Sequence, residues 1–130
     1  MMLIFGLTSA LAAEEAVDEE VAAPTSSAYV SLGEPLVLNL SGKNRPTFLQ
    51  ISADVLLSDS DAEDTIKIHV PAIRHSLIML LSEQKASDIK SPVKREEIRQ
   101  QLTTQVKQVI AELSGNKDIS DVLFSDILVQ

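Results

Sequence analysis

IKIHVPAIRHSLIMLLSEQ, residues 66–84, decides how the rest of this 130-residue chain must fold. Its apolar residues Ile66, Val70, Ile73, Leu77 and Leu80/Leu81 recur at steps of three or four, which lays them along one stripe of an α-helix. Just upstream, Ser60-Asp61-Ala62-Glu63 has the S-x-x-E form of a capping box and sets a helix start near Asp61. Pro71 falls inside the pattern. It has no N–H to donate and its ring crowds the carbonyl four residues back, so a kink or break is predicted at residues 69–71. Past the break, Ile73, Leu77, Ile78, Met79, Leu80 and Leu81 make the helix apolar on several sides. Such a helix needs cover, and strands before and after it are predicted to supply it.

Working outward, residues 48–57 (FLQISADVLL) alternate: Leu49, Ile51, Ala53, Val55 and Leu57 take one face, Phe48, Gln50, Ser52 and Asp54 the other. Residues 29–40 (YVSLGEPLVLNL) read as extended chain, with Leu36, Leu38 and Leu40 on one side and Pro35 at a strand start or edge. The turn Ser41-Gly42-Lys43-Asn44-Arg45-Pro46 joins the two into an antiparallel hairpin with one wet face. On the other side of the helix, residues 85–90 read as a polar connection. Ser91-Pro92 then supplies an N-cap and a proline at the first helical position. The helix so begun carries Ile98, Leu102, Val106, Val109 and Leu113, and Gly115-Asn116 stops it. Residues 121–130 (DVLFSDILVQ) are apolar on both sides and close the chain as a strand beside the hairpin, under the helices. The fold class expected is α+β, a small twisted sheet of N-terminal hairpin and C-terminal strand with helices on one face, in the order ββααβ.

The N-terminal part differs in kind. Residues 1–13 (MMLIFGLTSALAA) have the shape of a signal-peptide h-region with a cleavage site after Ala12 or Ala13, although no Lys or Arg precedes it. A bilayer-spanning helix takes roughly 20 apolar residues, so the alternatives are the stub of a longer anchor or a buried N-terminal helix. Residues 14–28 are acidic, small and Pro/Ser-tailed, and read as a linker. Residues 29–130 are expected to form one domain.

Charge narrows the function classes. The net charge is −8 from nineteen acidic and eleven basic residues. Five of the acids (Glu14, Glu15, Asp18, Glu19, Glu20) lie in the linker, leaving fourteen against eleven, or −3, for the domain. A domain this near neutral offers no cationic footprint to a phosphate backbone, and its few aromatics offer no stacking platform, so no nucleic-acid partner is expected. With no cysteine, disulfides and thiolate metal sites are excluded. The four glycines stand singly and no nucleophile elbow or phosphate loop occurs, so no enzyme and no cofactor are expected.

Three groups could still carry a site. Asp59, Asp61 and Glu63 stand at alternate positions, as calcium ligands do. An EF-hand loop counted from Asp59 would need glycine and glutamate where Asp64 and Val70 stand, so helix capping is the better reading. His69 and His75 are six apart with Pro71 between them, and lack partners at ligand spacing. A pH-dependent contact is the one use left open to them. Arg74 reads first as a structural pair for a closing-strand carboxylate, Asp126, and second as a group presented to a partner.

Four blocks in order also resemble one family. Pro71-x-Ile73-Arg74-x-x-Leu77-Ile78-x-Leu80-Leu81-Ser82 is similar to the P-x-I-R-x-x-l-l-x-l-l-S block of FliL, the flagellar basal-body-associated family. Leu36 to Leu40 resembles its v-v-N-L strand through Asn39, Phe48-Leu49-Gln50-Ile51 its y-L-q-v strand, and Val122 to Gln130, with Phe124 and Asp126, its V-x-F-T-d-f-v-v-Q ending. Where the family has T-x-E-G-K, this chain has Ser91-Pro92-Val93-Lys94-Arg95. The resemblance implies a non-enzymatic periplasmic domain similar to stomatin/prohibitin-type (SPFH) domains. It would self-associate into a ring, contact flagellar stator and basal-body proteins, and support swimming or swarming. The membrane would be met only through the N-terminal segment, at the inner membrane. On this resemblance the residues that matter are Asn39, Pro71, Ile73, Arg74, Leu77, Phe124, Asp126 and Gln130. The alternative is a periplasmic ligand- or metal-binding accessory module unrelated to torque.

The helix stripe is directly testable. Leu77→Asp strands a charge in it, costing several kcal/mol against a total stability of about 5–15, and the purified variant is expected to show no cooperative melting transition.

Overall fold

In the computed structural model, residues 28–42 and 46–130 are described. The leader and the linker as far as residue 27 lie outside them, as does the tip of the hairpin turn at 43–45. Four strands, β1 (Ala28–Ser31), β2 (Leu36–Leu40), β3 (Thr47–Leu57) and β4 (Ile119–Val129), form one antiparallel sheet. Between β3 and β4 come a 3₁₀ turn (Ser60–Ala62) and the helices α1 (Glu63–Ile68), α2 (Val70–Ser82), α3 (Ala86–Lys90) and α4 (Pro92–Ser114). Ala28, read above as the linker's last residue, is the first of β1.

β3 is the spine. Its alternation puts Leu49, Ile51, Ala53, Val55 and Leu57 into the core, as the period of two requires. β4 runs along one edge of β3 from Leu49↔Val129 to Leu57↔Ile119. β1 and β2 share the other edge, end to end, β1 against the C-terminal half of β3 and β2 against the N-terminal half. The stretch read as one extended strand is therefore interrupted. From Ser31↔Asp54 to Leu36↔Ile51 it advances five residues against three on β3, so two are extruded as a bulge. Gly33 takes the bulge's left-handed position at φ +91°, open at low cost only to glycine.

The helices cover one face of the sheet, α2 packed on β2 and α4 on β4, with α2 and α4 touching between them. Pro71 sits in the first turn of α2, where a missing N–H costs nothing. The predicted break falls at His69 (φ −100°, ψ 9°), which ends α1 and begins α2. The helix start differs from expectation. Asp59, not Ser60, supplies the cap, its carboxylate accepting the N–H of Asp61 at 2.9 Å, and the first turn is 3₁₀. An aspartate and a serine one residue apart are both competent caps, and the backbone conformation after β3 selects between them.

Other expectations are corrected by packing. Only Ile73, Leu77 and Leu81 of α2 are fully buried, while Met79 is largely exposed, because a helix lying on a two-layer fold has one outer side whatever its composition. Residues 85–90 are not a mere connection: α3 buries Ile89, and Ser41 N–H donates to the Gln84 carbonyl at 3.0 Å, tying the end of β2 to this corner. The stripe of α4 runs Ile98, Leu102, Val106, Ile110, with Thr103 beside it. Val109 is half-buried and Leu113 is 53% exposed, since periodicity leaves open which of two adjacent apolar residues turns toward α2 and β4. Ser91 and Gly115 (φ +74°) cap α4 as predicted. β4 begins at Ile119, and only Ile119 and Val122 are fully buried in it; the rest, Phe124 included, is half-buried or exposed because β4 is an edge strand.

These assignments separate cleanly in a melting experiment. Ile110→Ala is expected to cost about 2–5 kcal/mol and Leu113→Ala under about 1, read as shifts in denaturant midpoint at constant m-value.

Candidate functional site

The sheet's second face has no layer over it among the described residues. Residues that alternate away from the core collect there: Val37 on β2, Phe48 and Gln50 on β3, Leu128 on β4. Val37 is 63% exposed and Phe48 is 50% exposed, and with Leu128 they line a shallow hollow with the amides of Gln50 and Gln130 on its walls. Register explains the grouping. Asn39 pairs with Phe48, and Phe48 exchanges both backbone hydrogen bonds with Gln130 at 2.7 and 2.9 Å. Asn39, Phe48 and Gln130 therefore make one cross-strand row over three strands, beside the row Val37, Gln50, Leu128. The row joins two residues marked out by the family resemblance, Asn39 and Gln130, 91 positions apart, to Phe48, which opens another of the four blocks but was not marked out as one that matters. Phe48 was missed because its face was read as wet; an aromatic among polar alternates was the available signal.

Arg74 has a different role from either one expected. Its guanidinium donates from Nη1 to the carbonyls of Leu32 (2.7 Å) and Glu34 (2.6 Å), closing over the β1–β2 bulge. Bulge carbonyls lack ladder partners, and α2 lies on β2, so the arginine meets them. Asp126 is on β4, across β3 from the bulge, and cannot be its partner. Asp126 instead stands exposed at a register shift of β4 with φ +50°, a left-handed conformation rare for a residue with a side chain. Pro71, Ile73 and Leu77 are used by the fold: a helix start and two core contacts. The structure brings together Asn39 and Gln130, then, but not the α2 residues or Asp126 with them.

A second polar knot fastens α4 to β4. Arg99 binds Glu96 in a fork (2.8 and 2.5 Å), pairs with Asp121, and donates to the Val122 carbonyl at 2.9 Å. Thr103, the one buried polar residue among those described, donates to Asp121 (3.0 Å) and accepts the Val122 N–H (3.1 Å). The Glu96 carboxyl is held below its ordinary value by the Arg99 hydrogen bond. Arg99 in turn is raised, first by Glu96 and also by Asp121, against the opposing effect of burial. These shifts keep ions charged; they do not poise an acid or base near neutral pH.

Among the described residues no three His, Asp or Glu side chains are placed to hold a metal ion, and Asp59 spends its carboxylate on the cap. No helix there is long and apolar enough to cross a membrane. His69 stands at the α1–α2 junction and His75 on the exposed side of α2. Fold and surface together define a class: a compact α+β domain held by polar clamps, with a partly apolar sheet face left open for contact.

The sequence matches the family "Flagellar basal body-associated protein FliL" over residues 29–130, and the chain belongs to that family, which is non-enzymatic. It is also similar to "Flagellar protein FliL" of Aquifex aeolicus (strain VF5), 21% identical over 111 residues. That alignment takes in 85% of this chain, and the chain spans 66% of that relative's length.

Arg74 provides the test of this geometry. Arg74→Ala is expected to cost about 2 kcal/mol, with amide-exchange protection lost first at residues 28–34; Arg74→Lys, a point donor in place of a planar fork, is expected to recover only part of it.

Proposed function

We propose that this chain is a scaffold of the flagellar basal body. Its domain self-associates on the periplasmic side of the inner membrane and supports the stator during swimming or swarming, as a ring similar to those of stomatin/prohibitin-type domains. The membrane is met through the N-terminal segment, whether as an export leader or as an anchor. The uncovered sheet face around the Asn39–Phe48–Gln130 row is the surface that meets the basal body.

The observation that carries this reading is the family match over residues 29–130, taken with the position of Asn39, Phe48 and Gln130, each in one of the family blocks, on the face the helices leave open. Block residues that serve only the fold are buried or clamped, as Ile73, Leu77 and Arg74 are. Asn39 and Gln130 are neither: both side chains stand at an exposed surface, where amides beside an aromatic suit a contact that is partly apolar and partly hydrogen-bonded.

Deleting the gene is expected to reduce swimming most in viscous medium, where load on the motor is high; unchanged motility at every load would end the stator role. Complementation with Phe48→Asp tests the face. The variant is expected to melt like the parent, because the ring is already half in water, yet to restore motility poorly. Full restoration would move the contact elsewhere.

A further inference from the structure

Behind the clamp of Arg99, the free edge of β4 faces a groove that none of the contacts above uses. Val122 shows which way that edge points: its N–H goes to Thr103 and its carbonyl accepts from Arg99, both on α4, so its backbone groups face away from β3. In an antiparallel ladder every second residue does the same, so Phe124 presents its N–H and C=O outward as well. At Val122 the edge is sealed by α4. Beyond it, no strand among the described residues pairs with β4 on that side.

Two adjoining hollows, of about 280 and 380 Å³, follow the edge under the corner where α3 meets α4, and they share Arg95 and Ile127. Their floor is apolar, from Phe124, Ile127, Val129 and Ile89. Their charges are Lys90, Arg95 and Arg99 against one carboxylate, Glu96, which Arg99 already holds. Asp121 is likewise bound to Arg99, Glu97 pairs with Lys94, and Asp126 stands exposed at the bulge. Arg95 donates to the Ile89 carbonyl at 2.9 Å, which steadies the guanidinium without neutralising it. Lys90 and Arg95 are thus left with no carboxylate partner in the groove of a chain whose net charge is −8. An open strand edge about 20 Å long, an apolar floor and two cations without a counter-charge suit an extended segment rich in carboxylates, added as a further strand.

The chain itself supplies such a segment at residues 14–20, EEAVDEE, with five carboxylates around Ala16 and Val17. Its own copy is badly placed for it. The chain enters the fold at Ala28, beside Leu57, which pairs with Ile119 at the far end of β4. Antiparallel to β4, Glu20 of the same copy would fall opposite Phe124, five residues along (about 17 Å) and across the width of the sheet (about 14 Å), so the eight residues to Ala28, at most about 28 Å, would have to be drawn out to most of their length at a cost in chain entropy. We infer that the groove between β4 and the α3–α4 corner binds the acidic segment 14–20 of a second copy, strapping one domain to the next. This rests on the self-association proposed above and names the contact that produces it.

The absence of cysteine makes the test clean. Full-length Ala16→Cys, mixed with full-length Lys90→Cys under mild oxidation, is expected to give a disulfide-linked dimer at least fivefold more often than Ala16→Cys mixed with Thr104→Cys, exposed on α4. In parallel, sedimentation of the full chain is expected to show association that Lys90→Glu weakens and that Asp18→Lys/Glu19→Lys restores in the same chain. Equal cross-linking with the control, with association intact, overturns the strap while leaving self-association standing. A chain that stays monomeric at every concentration removes both. A monomer carrying the intrachain bond in the Ala16→Cys/Lys90→Cys double variant overturns the second-copy assignment.

Discussion

One guanidinium decides how this domain holds its shape. The bulge between β1 and β2 extrudes two residues and leaves carbonyls at Leu32 and Glu34 out of the ladder, and Arg74 takes both at once from α2. Carbonyls left unanswered there would weaken the edge of the sheet, and a helix without this tie would rest on the core by apolar contact alone. The same bond also fixes α2 in rotation, because an arginine reaching the bulge obliges Ile73 and Leu77, on either side of it in sequence, to face inward. Gly33 makes the arrangement possible from the other side: it allows the left-handed turn, and a side chain there would come within ordinary contact distance of the Arg74 guanidinium.

Arg99 does for α4 and β4 what Arg74 does for α2 and β2. Each long helix therefore has an apolar stripe on the sheet and one arginine reaching backbone carbonyls of a strand edge. Such clamps are directional where hydrophobic burial is not, so they set position while the stripe supplies most of the stability. A domain built this way has its clamping polar groups committed to structure, and what it offers outward is shape, a partly apolar sheet face and a strand edge. That suits a scaffold, and it accords with membership of a non-enzymatic flagellar family.

The apolar pattern and the terminator residues were legible from the residues alone. The alternation of β3, the stripe through Ile66, Ile73, Leu77 and Leu81, the break near Pro71, the Ser91-Pro92 start and the Gly115 stop all follow from local rules: side-chain period, a missing N–H, a left-handed cap. The four blocks that resemble FliL were readable for the same reason, being short runs in fixed order, and they lie in the matched span. Burial that depends on neighbours was not legible. Val109 and Ile110 are interchangeable to a periodicity argument, and Ile89 gives no local sign that a polar connection will fold back as a helix.

What the sequence by itself determined is the order of the main strands and helices and the inward faces of β3 and α2, because each depends on contacts within a few positions. Only the tertiary structure decided the partners of the charged groups: Arg74 with two bulge carbonyls and not Asp126, Arg99 with Asp121 and Val122, Asn39 with Phe48 and Gln130 in one row. Those pairings join residues from 9 to 82 positions apart, and that of Arg74 depends on a two-residue register shift that no local propensity encodes.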